Sequence, residues 1–190
     1  MTNSNHQNQP SKPKVISPLE HFRSQREWNI DRLNRAFARR DSCRFFDFLT
    51  VGTSNKKPEA LVNIMKLPIF SSDWLIDIRS NPNSIHTPLW NKNSLSQFCA
   101  TKGINYLHKP SLGVPTNIRK MLYSGMMTYP QFFEWYDANI LVGENLEEVI
   151  ELTKKSVTAF TCTEIGPNYC HRHRIALKLE SEFGYISYDL

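Results

Sequence analysis

The densest chemistry in this sequence lies in one run, Thr161-Cys162-Thr163-Glu164-Ile165-Gly166-Pro167-Asn168-Tyr169-Cys170-His171-Arg172. The apolar, β-branched stretch Val157 to Cys162 reads as a strand, so Cys162 and Glu164 fall where it runs out. A helix reads from about Cys170 to Phe183, with Gly184 as its stop. A helix start offers unpaired N–H groups and the positive end of a dipole, which bind anions and favour a thiolate. Those placements make Cys170 a nucleophile or thiolate contact, with Glu164 as acid or base and His171 as proton carrier. Cys162 falls beside them, and Arg172 is a forked donor suited to phosphate or carboxylate. Against this stands simple packing, because free cysteine is among the most buried residue types.

The elements around this run alternate. Arg44–Val51 and Trp74–Arg79 read as buried strands, Ile104–His108 as a third and Tyr185–Leu190 as the last. Helical patterns follow Pro58 and cover 93–102, and Asn145 with Glu148 reads as a capped helix start. Residues 111–140 are aromatic-rich and irregular, a cover of short helices. Strands alternating with helices predict an α/β fold: a mostly parallel sheet of about five strands flanked by helices, a Rossmann-like three-layer architecture. In such sheets ligands bind outside the carboxyl ends of the strands. The residues just past each strand then meet at one rim: Gly52, Thr53 and Ser54; Asp77, Arg79 and Ser80; His108 and Lys109; and the run from Thr161 to Arg172. On this reading Asp77 joins the acid/base candidates, while Gly52, Thr53, Ser54, Arg79, Ser80, Cys162 and Arg172 hold an anionic substrate. An ion pair of Asp77 with Arg79 tying a loop to the sheet is the structural alternative, since a buried aspartate needs a partner. Trp90, Phe132, Phe133, Trp135 and Tyr136 could stack a base or fill a core.

The chain has 190 residues, 40% hydrophobic and 12% aromatic, enough for a core and too much for wholesale disorder. No stretch reaches the roughly 18 apolar residues of a membrane span. Met1–Lys14 has no apolar core, so no secretory signal is expected. Four scattered cysteines point to a reducing cytoplasm. The net charge of +5 lies in residues 1–40, which carry eight Lys and Arg against three Asp and Glu. Residues 1–16 read as a disordered arm and 17–40 as a basic amphipathic helix opened by Ser17-Pro18-Leu19-Glu20, followed by a single domain over 41–190. Leu19, Phe22, Ile30, Leu33 and Phe37 form the helix's apolar stripe, and Arg26, Arg32, Arg35, Arg39 and Arg40 lie mostly off it, free to contact a nucleic-acid backbone.

Five segments follow one another along the chain: Leu49-Thr50-Val51-Gly52-Thr53-Ser54, Leu75-Ile76-Asp77-Ile78-Arg79-Ser80, Gly103-Ile104-Asn105-Tyr106, Pro110-Ser111-Leu112-Gly113, and Cys162-Thr163-Glu164 with Cys170-His171-Arg172. In this series the chain resembles the domain of unknown function family 488 over residues 48–190. The resemblance implies a compact α/β domain and a site at these motifs. Three positions depart from the family's pattern: Thr53 stands where a histidine is usual, Ile85 after Ser84 where an arginine is usual, and Val114 where a second glycine is common. These departures take a histidine and an arginine out of the implied anion pocket, so altered or absent catalysis is one implication. Thr53 still donates a hydrogen bond, and His86 is placed to replace the charge.

The sequence therefore predicts an enzyme acting on a nucleotide, nucleoside or nucleic acid, with glycosidic cleavage as one reaction such a pocket suits. The alternatives are a non-catalytic nucleic-acid-binding module gripping phosphates through the arm, and a thiol redox or sulfur-handling protein using Cys162 and Cys170. No cofactor is expected. Zinc at Cys162, Cys170 and His171 stays open, although Cys-x7-Cys-His matches no structural zinc spacing.

Overall fold

A computed structural model describes residues 17–39, 44–54, 56–142, 145–164 and 166–190. The predicted arm 1–16 and Arg40 lie outside the described residues. The strands are β1 (Phe48–Gly52), β2 (Ser72–Asp77), β3 (Asn105–His108), β4 (Val157–Cys162) and β5 (Ser187–Asp189). The helices are α1 (Pro18–Ala38), α2 (Pro58–Met65), α3 (Lys92–Thr101), α4 (Thr116–Tyr123), α5 (Tyr129–Asn139), α6 (Glu147–Lys155) and α7 (His171–Phe183). All strand pairs are parallel, in the order β3-β2-β4-β1-β5. The expected α/β architecture is therefore present, and no described helix is long and apolar enough to cross a membrane.

Strand alternation sorts the core into two layers. Phe48, Ile76 and Phe160 pack with Ile175, Ala176 and Leu179 of α7 on one face. Leu49, Val51, Leu75 and Ala159 pack with Leu61, Val62 and Met65 of α2 on the other. Neighbouring strands β1 and β4 thus feed helices on opposite faces. That is the topological switch point of an open parallel sheet, where the diverging connections leave a crevice over the strand tips.

Helix α1 covers the sheet edge at β5. Its capping box forms as the sequence predicts: Glu20 N donates to Ser17 Oγ at 3.2 Å, and Ser17 N to Glu20 Oε2 at 2.9 Å. The expected apolar stripe is not the buried one, since Leu19, Ile30 and Phe37 are exposed. Ser24, Trp28, Arg32 and Ala36, four apart, face the domain instead. The reason is polar. Asn29 pairs with both main-chain groups of Asp189, accepting from its N at 2.8 Å and donating to its O at 2.7 Å, which closes an otherwise open strand edge. Arg32 reaches Glu180 through two hydrogen bonds (3.1 and 2.7 Å) and lies 3.5 Å over the Trp28 ring.

The expected cap at Asn145 is also corrected. Helix α6 starts at Glu147 with Leu146 before it; Asn145 donates to the Ile140 carbonyl, and Glu148 pairs with Lys109.

Candidate functional site

The rim residues predicted from sequence do reach the carboxyl ends of the strands, but they do not form one hollow. Strand parity divides them. Thr53, Asp77, Arg79 and Thr163 continue the α2 face of β1, β2 and β4, whereas Cys162 and Glu164 continue the α7 face. Each group has its own cavity.

The α2 side holds a cleft of about 560 Å³, walled by Thr53, Ser54, Lys56, Arg79, Trp90 and Thr163 among others. The β1 tip is tied to β4: Thr53 N donates to the Cys162 carbonyl at 2.8 Å, and the Ser54 hydroxyl donates to the Thr163 carbonyl at 2.6 Å. Asp77 is fully buried and fully satisfied. It accepts from Arg79 N, Nε and Nη2 at 3.1, 2.8 and 2.6 Å, and from the Tyr106 hydroxyl at 2.8 Å. This is the buried ion pair with Arg79 that the sequence offered as the alternative to an acid or base role for Asp77. It fixes Arg79, whose Nη2 also donates to the Trp90 carbonyl at 2.7 Å. Burial disfavours a charged guanidinium, but the Asp77 hydrogen bonds and charge outweigh it and hold Arg79 above its ordinary range. Nη1 is left without a partner among the described residues. The Thr53 hydroxyl, on a residue 6% exposed, likewise has none. Lys56, drawn below the usual lysine range by burial, donates to the Leu190 main-chain oxygen, while Lys57 is exposed beside the cleft. Trp90 Nε1 pins the loop by donating to the Lys56 carbonyl at 2.9 Å.

The α7 side holds the thiols. Cys162 ends β4, Cys170 is the residue before α7, and His171 is its first residue. Cys162 Sγ donates to Glu164 Oε2 at 2.7 Å, and Cys170 Sγ lies 3.2 Å from the same oxygen. His171 Nδ1 is 3.6 Å from Cys162 Sγ and 3.8 Å from Cys170 Sγ. All four ligand-type atoms lie within 4.8 Å of one another, so the cluster could hold a metal ion. Burial, then the Cys170 and Glu164 neighbours, push the Cys162 thiol well up. Burial also acts to raise Cys170, but the Cys162 hydrogen bond and the Arg172 and His171 charges draw it down to about 6. Burial opposes the Glu164 carboxylate too, yet His171 and the thiols hold it below its usual value. A cavity of about 20 Å³, room for one water, touches the cluster at Glu164 and His171 and is walled by Arg119, Tyr123 and Tyr129.

Both thiols are sealed, Cys162 at 0% and Cys170 at 1% exposure, which corrects the expectation of an open pocket around Cys170. Arg172 is corrected as well. It is wholly buried, donating to Asp189 Oδ1 from Nε and Nη2 (3.2 and 3.1 Å) and to the Glu164 carbonyl from Nη1 (2.5 Å), so it frames the site rather than receiving an anion. Gly52 is buried within β1, and the Ser80 hydroxyl donates to the Val114 carbonyl at 2.9 Å. Gly113 lets that loop approach: a Cβ there would stand 2.5 Å from Ser80 N and 2.8 Å from the Ile78 carbonyl oxygen. His108 Nε2 lies 2.9 Å from the Arg79 carbonyl, holding it from behind. In the basic helix, Arg32 and Arg35 bind Glu180 and Arg39 binds Asp47; Arg26 is exposed. Phe132 and Tyr136 fill the core with Phe133 and Trp135 against them, and Trp90 alone of the five predicted stacking residues borders the cleft.

The sequence reading missed Lys56, Lys57, Arg119 and Tyr123. Lys56 and Lys57 stand between the Gly-Thr-Ser turn and Pro58, where a ligand-facing loop belongs, and that was the available signal. Of the three departures from the family pattern, Thr53 borders the cleft and Val114 the small cavity, while Ile85 sits exposed between the cleft residues Ser84 and His86.

No curated protein and no solved structure matches the chain. A family described as domain of unknown function DUF488 matches residues 58–179, which takes in the motifs from Leu75 through Arg172 and leaves out Leu49–Ser54. With well over half of its length matched, the chain belongs to the domain of unknown function family DUF488.

Proposed function

We propose that the chain is an enzyme acting on a nucleotide, nucleoside or nucleic-acid substrate, held by a phosphate group in the cleft on the α2 side of the strand tips. One observation carries the reading: Arg79, nine-tenths buried and locked by Asp77, has its Nη1 without a partner among the described residues in the wall of the cleft of about 560 Å³, which the Thr53 hydroxyl, also without one, borders as well. A fixed guanidinium with a free donor is preorganised for phosphate, and it costs little side-chain entropy on binding. Lys57 and His86 add basic groups, and Trp90 adds apolar wall for a ring. Thr163, at the tip of β4, borders the same cleft. Bond cleavage at the glycosidic carbon is the reaction proposed for a substrate held there. The free cysteines Cys99, Cys162 and Cys170 support a reducing, cytoplasmic setting.

The test is calorimetric titration with a nucleoside monophosphate, the matching nucleoside and inorganic phosphate. Thr53→Val keeps the side chain's shape and removes one donor to the anion, a loss of about 1.5–3 kcal/mol or at least tenfold in Kd, with an unchanged melting temperature. The nucleoside is expected to bind more weakly than its monophosphate. Equal affinity of wild type and T53V for the monophosphate, or no binding at all, would overturn the reading.

A further inference from the structure

The Cys162–Glu164–Cys170–His171 cluster lies outside the phosphate cleft, and the inference drawn from it stands independently of the proposed substrate. We infer that this cluster is a binding site for a borderline-soft divalent cation of the zinc class, held by Cys162 Sγ, Cys170 Sγ and His171 Nδ1, with Glu164 at the fourth position.

The first argument is geometric. Tetrahedral zinc with bonds of about 2.3 Å to sulfur and about 2.0 Å to nitrogen or oxygen needs ligand separations of about 3.8 Å between sulfurs and about 3.5 Å from sulfur to nitrogen or oxygen. The two thiol–imidazole separations, 3.6 and 3.8 Å, are already close to that spacing. The two thiol–carboxylate separations, 2.7 and 3.2 Å, are shorter because both thiols now bond to one oxygen. A small retreat of Glu164 Oε2, which borders the one-water cavity, brings both of these separations into range.

The second argument is chemical. Two thiols, a carboxylate and an imidazole are a donor set that selects zinc-like ions over magnesium or calcium.

The third argument is local. All four donors come from a single strand-to-helix connection. Cys170 precedes α7 and its side chain makes no capping bond to that helix, so Sγ stays aimed at the cluster. The loop is anchored where Arg172 holds the Glu164 carbonyl at 2.5 Å, and Phe132, Leu122 and Tyr136 shield it. The donors are therefore brought together by the fold before any ion arrives, which lowers the ordering cost of binding. As the ion enters, each thiol that becomes a thiolate ligand gives its proton to solvent.

The full chain, stripped with a chelator under reducing conditions, is titrated with Co2+ and separately with Zn2+. One equivalent of Co2+ is expected to give the thiolate-to-cobalt charge-transfer band and the intense visible bands of a tetrahedral site. Zn2+ is expected to bleach them and to raise the melting temperature. Cys162→Ser and Cys170→Ser should abolish the charge-transfer band or weaken binding to the point of non-stoichiometry. Glu164→Gln should keep the band with weaker binding, and Cys99→Ser, in the opposite core layer, should change nothing. If the cysteine variants fail to fold, the wild-type cobalt spectrum decides. No charge-transfer band with reduced thiols, a band unaffected by both cysteine replacements, or a Cys162–Cys170 disulfide as the stable form would overturn the assignment.

Discussion

Arg172→Met is expected to remove about 3–5 kcal/mol of folding stability, the typical cost of leaving one member of a buried ion pair alone. Both partners are out of water, Arg172 at 0% and Asp189 at 1% exposure. Asp189 Oδ1 accepts from Thr50 as well (2.6 Å), and its Oδ2 has no partner among the described residues. Without the guanidinium, a carboxylate stays buried with a single hydroxyl donor. Arg172 also ties the β4–α7 loop to the last strand through the Glu164 carbonyl, so the substitution loosens the thiol cluster together with the sheet edge. A domain stability of about 5–15 kcal/mol leaves little margin after such a loss. Guanidinium denaturation measures it. The double replacement Arg172→Met with Asp189→Asn should cost clearly less than the sum of the singles, because the two groups act as one unit. A single-variant loss under about 1 kcal/mol would mean that water reaches the pair.

Trp28→Ala is expected to cost about 3–5 kcal/mol, the range for truncating a buried large aromatic. Trp28 is 5% exposed and lies between α1 and α7, with its ring centroid 4.4 Å from that of His173 and the Arg32 guanidinium on its face. Truncation opens a cavity, ends the cation–π contact and weakens the docking that lets Asn29 close the β5 edge. Trp28→Phe should cost far less. It keeps most of the volume and removes an indole Nε1 that is buried with no partner among the described residues. Denaturation read by circular dichroism, with limited proteolysis near residue 40, separates two outcomes. A cooperative loss of the whole domain is the prediction, whereas early cleavage of α1 with an intact remainder would make the helix an accessory.

The architecture was legible because each strand announced itself by a short apolar run and several helices by a cap or Gly stop, as at Ser17, Gly103 and Gly184, whereas α4 and α5 were read only as an irregular cover over 111–140. The register of the site was legible only in part. The described residues just past β1, β2, β3 and β4 do lie at strand tips, since the rule behind them needs only strand ends. What failed was treating the rim as one surface. Counting parity from Leu49 and Val51 would have placed Thr53 opposite Phe48, and counting from Phe160 would have placed Glu164 with Cys162 and away from Thr163. Pairing was harder to foresee. Arg172 looked like an anion receptor because its partner, Asp189, comes from the last strand, and no local pattern links the two. Hydrophobicity misled in α1, where Ile30 and Phe37 face outward and Arg32 inward, because Glu180 on α7 and the open edge of β5 decide which side docks. The family match adds the membership; the roles proposed for Arg79, Thr53 and the thiol cluster rest on geometry.

The most direct check is a crystal structure of the protein soaked with a nucleoside monophosphate. Phosphate density is expected within hydrogen-bond reach of Arg79 Nη1 and the Thr53 hydroxyl, in the cleft between Ser54 and Trp90. Phosphate bound elsewhere, for example along the exposed Arg23 and Arg26 of α1, with the cleft left to water, would contradict it.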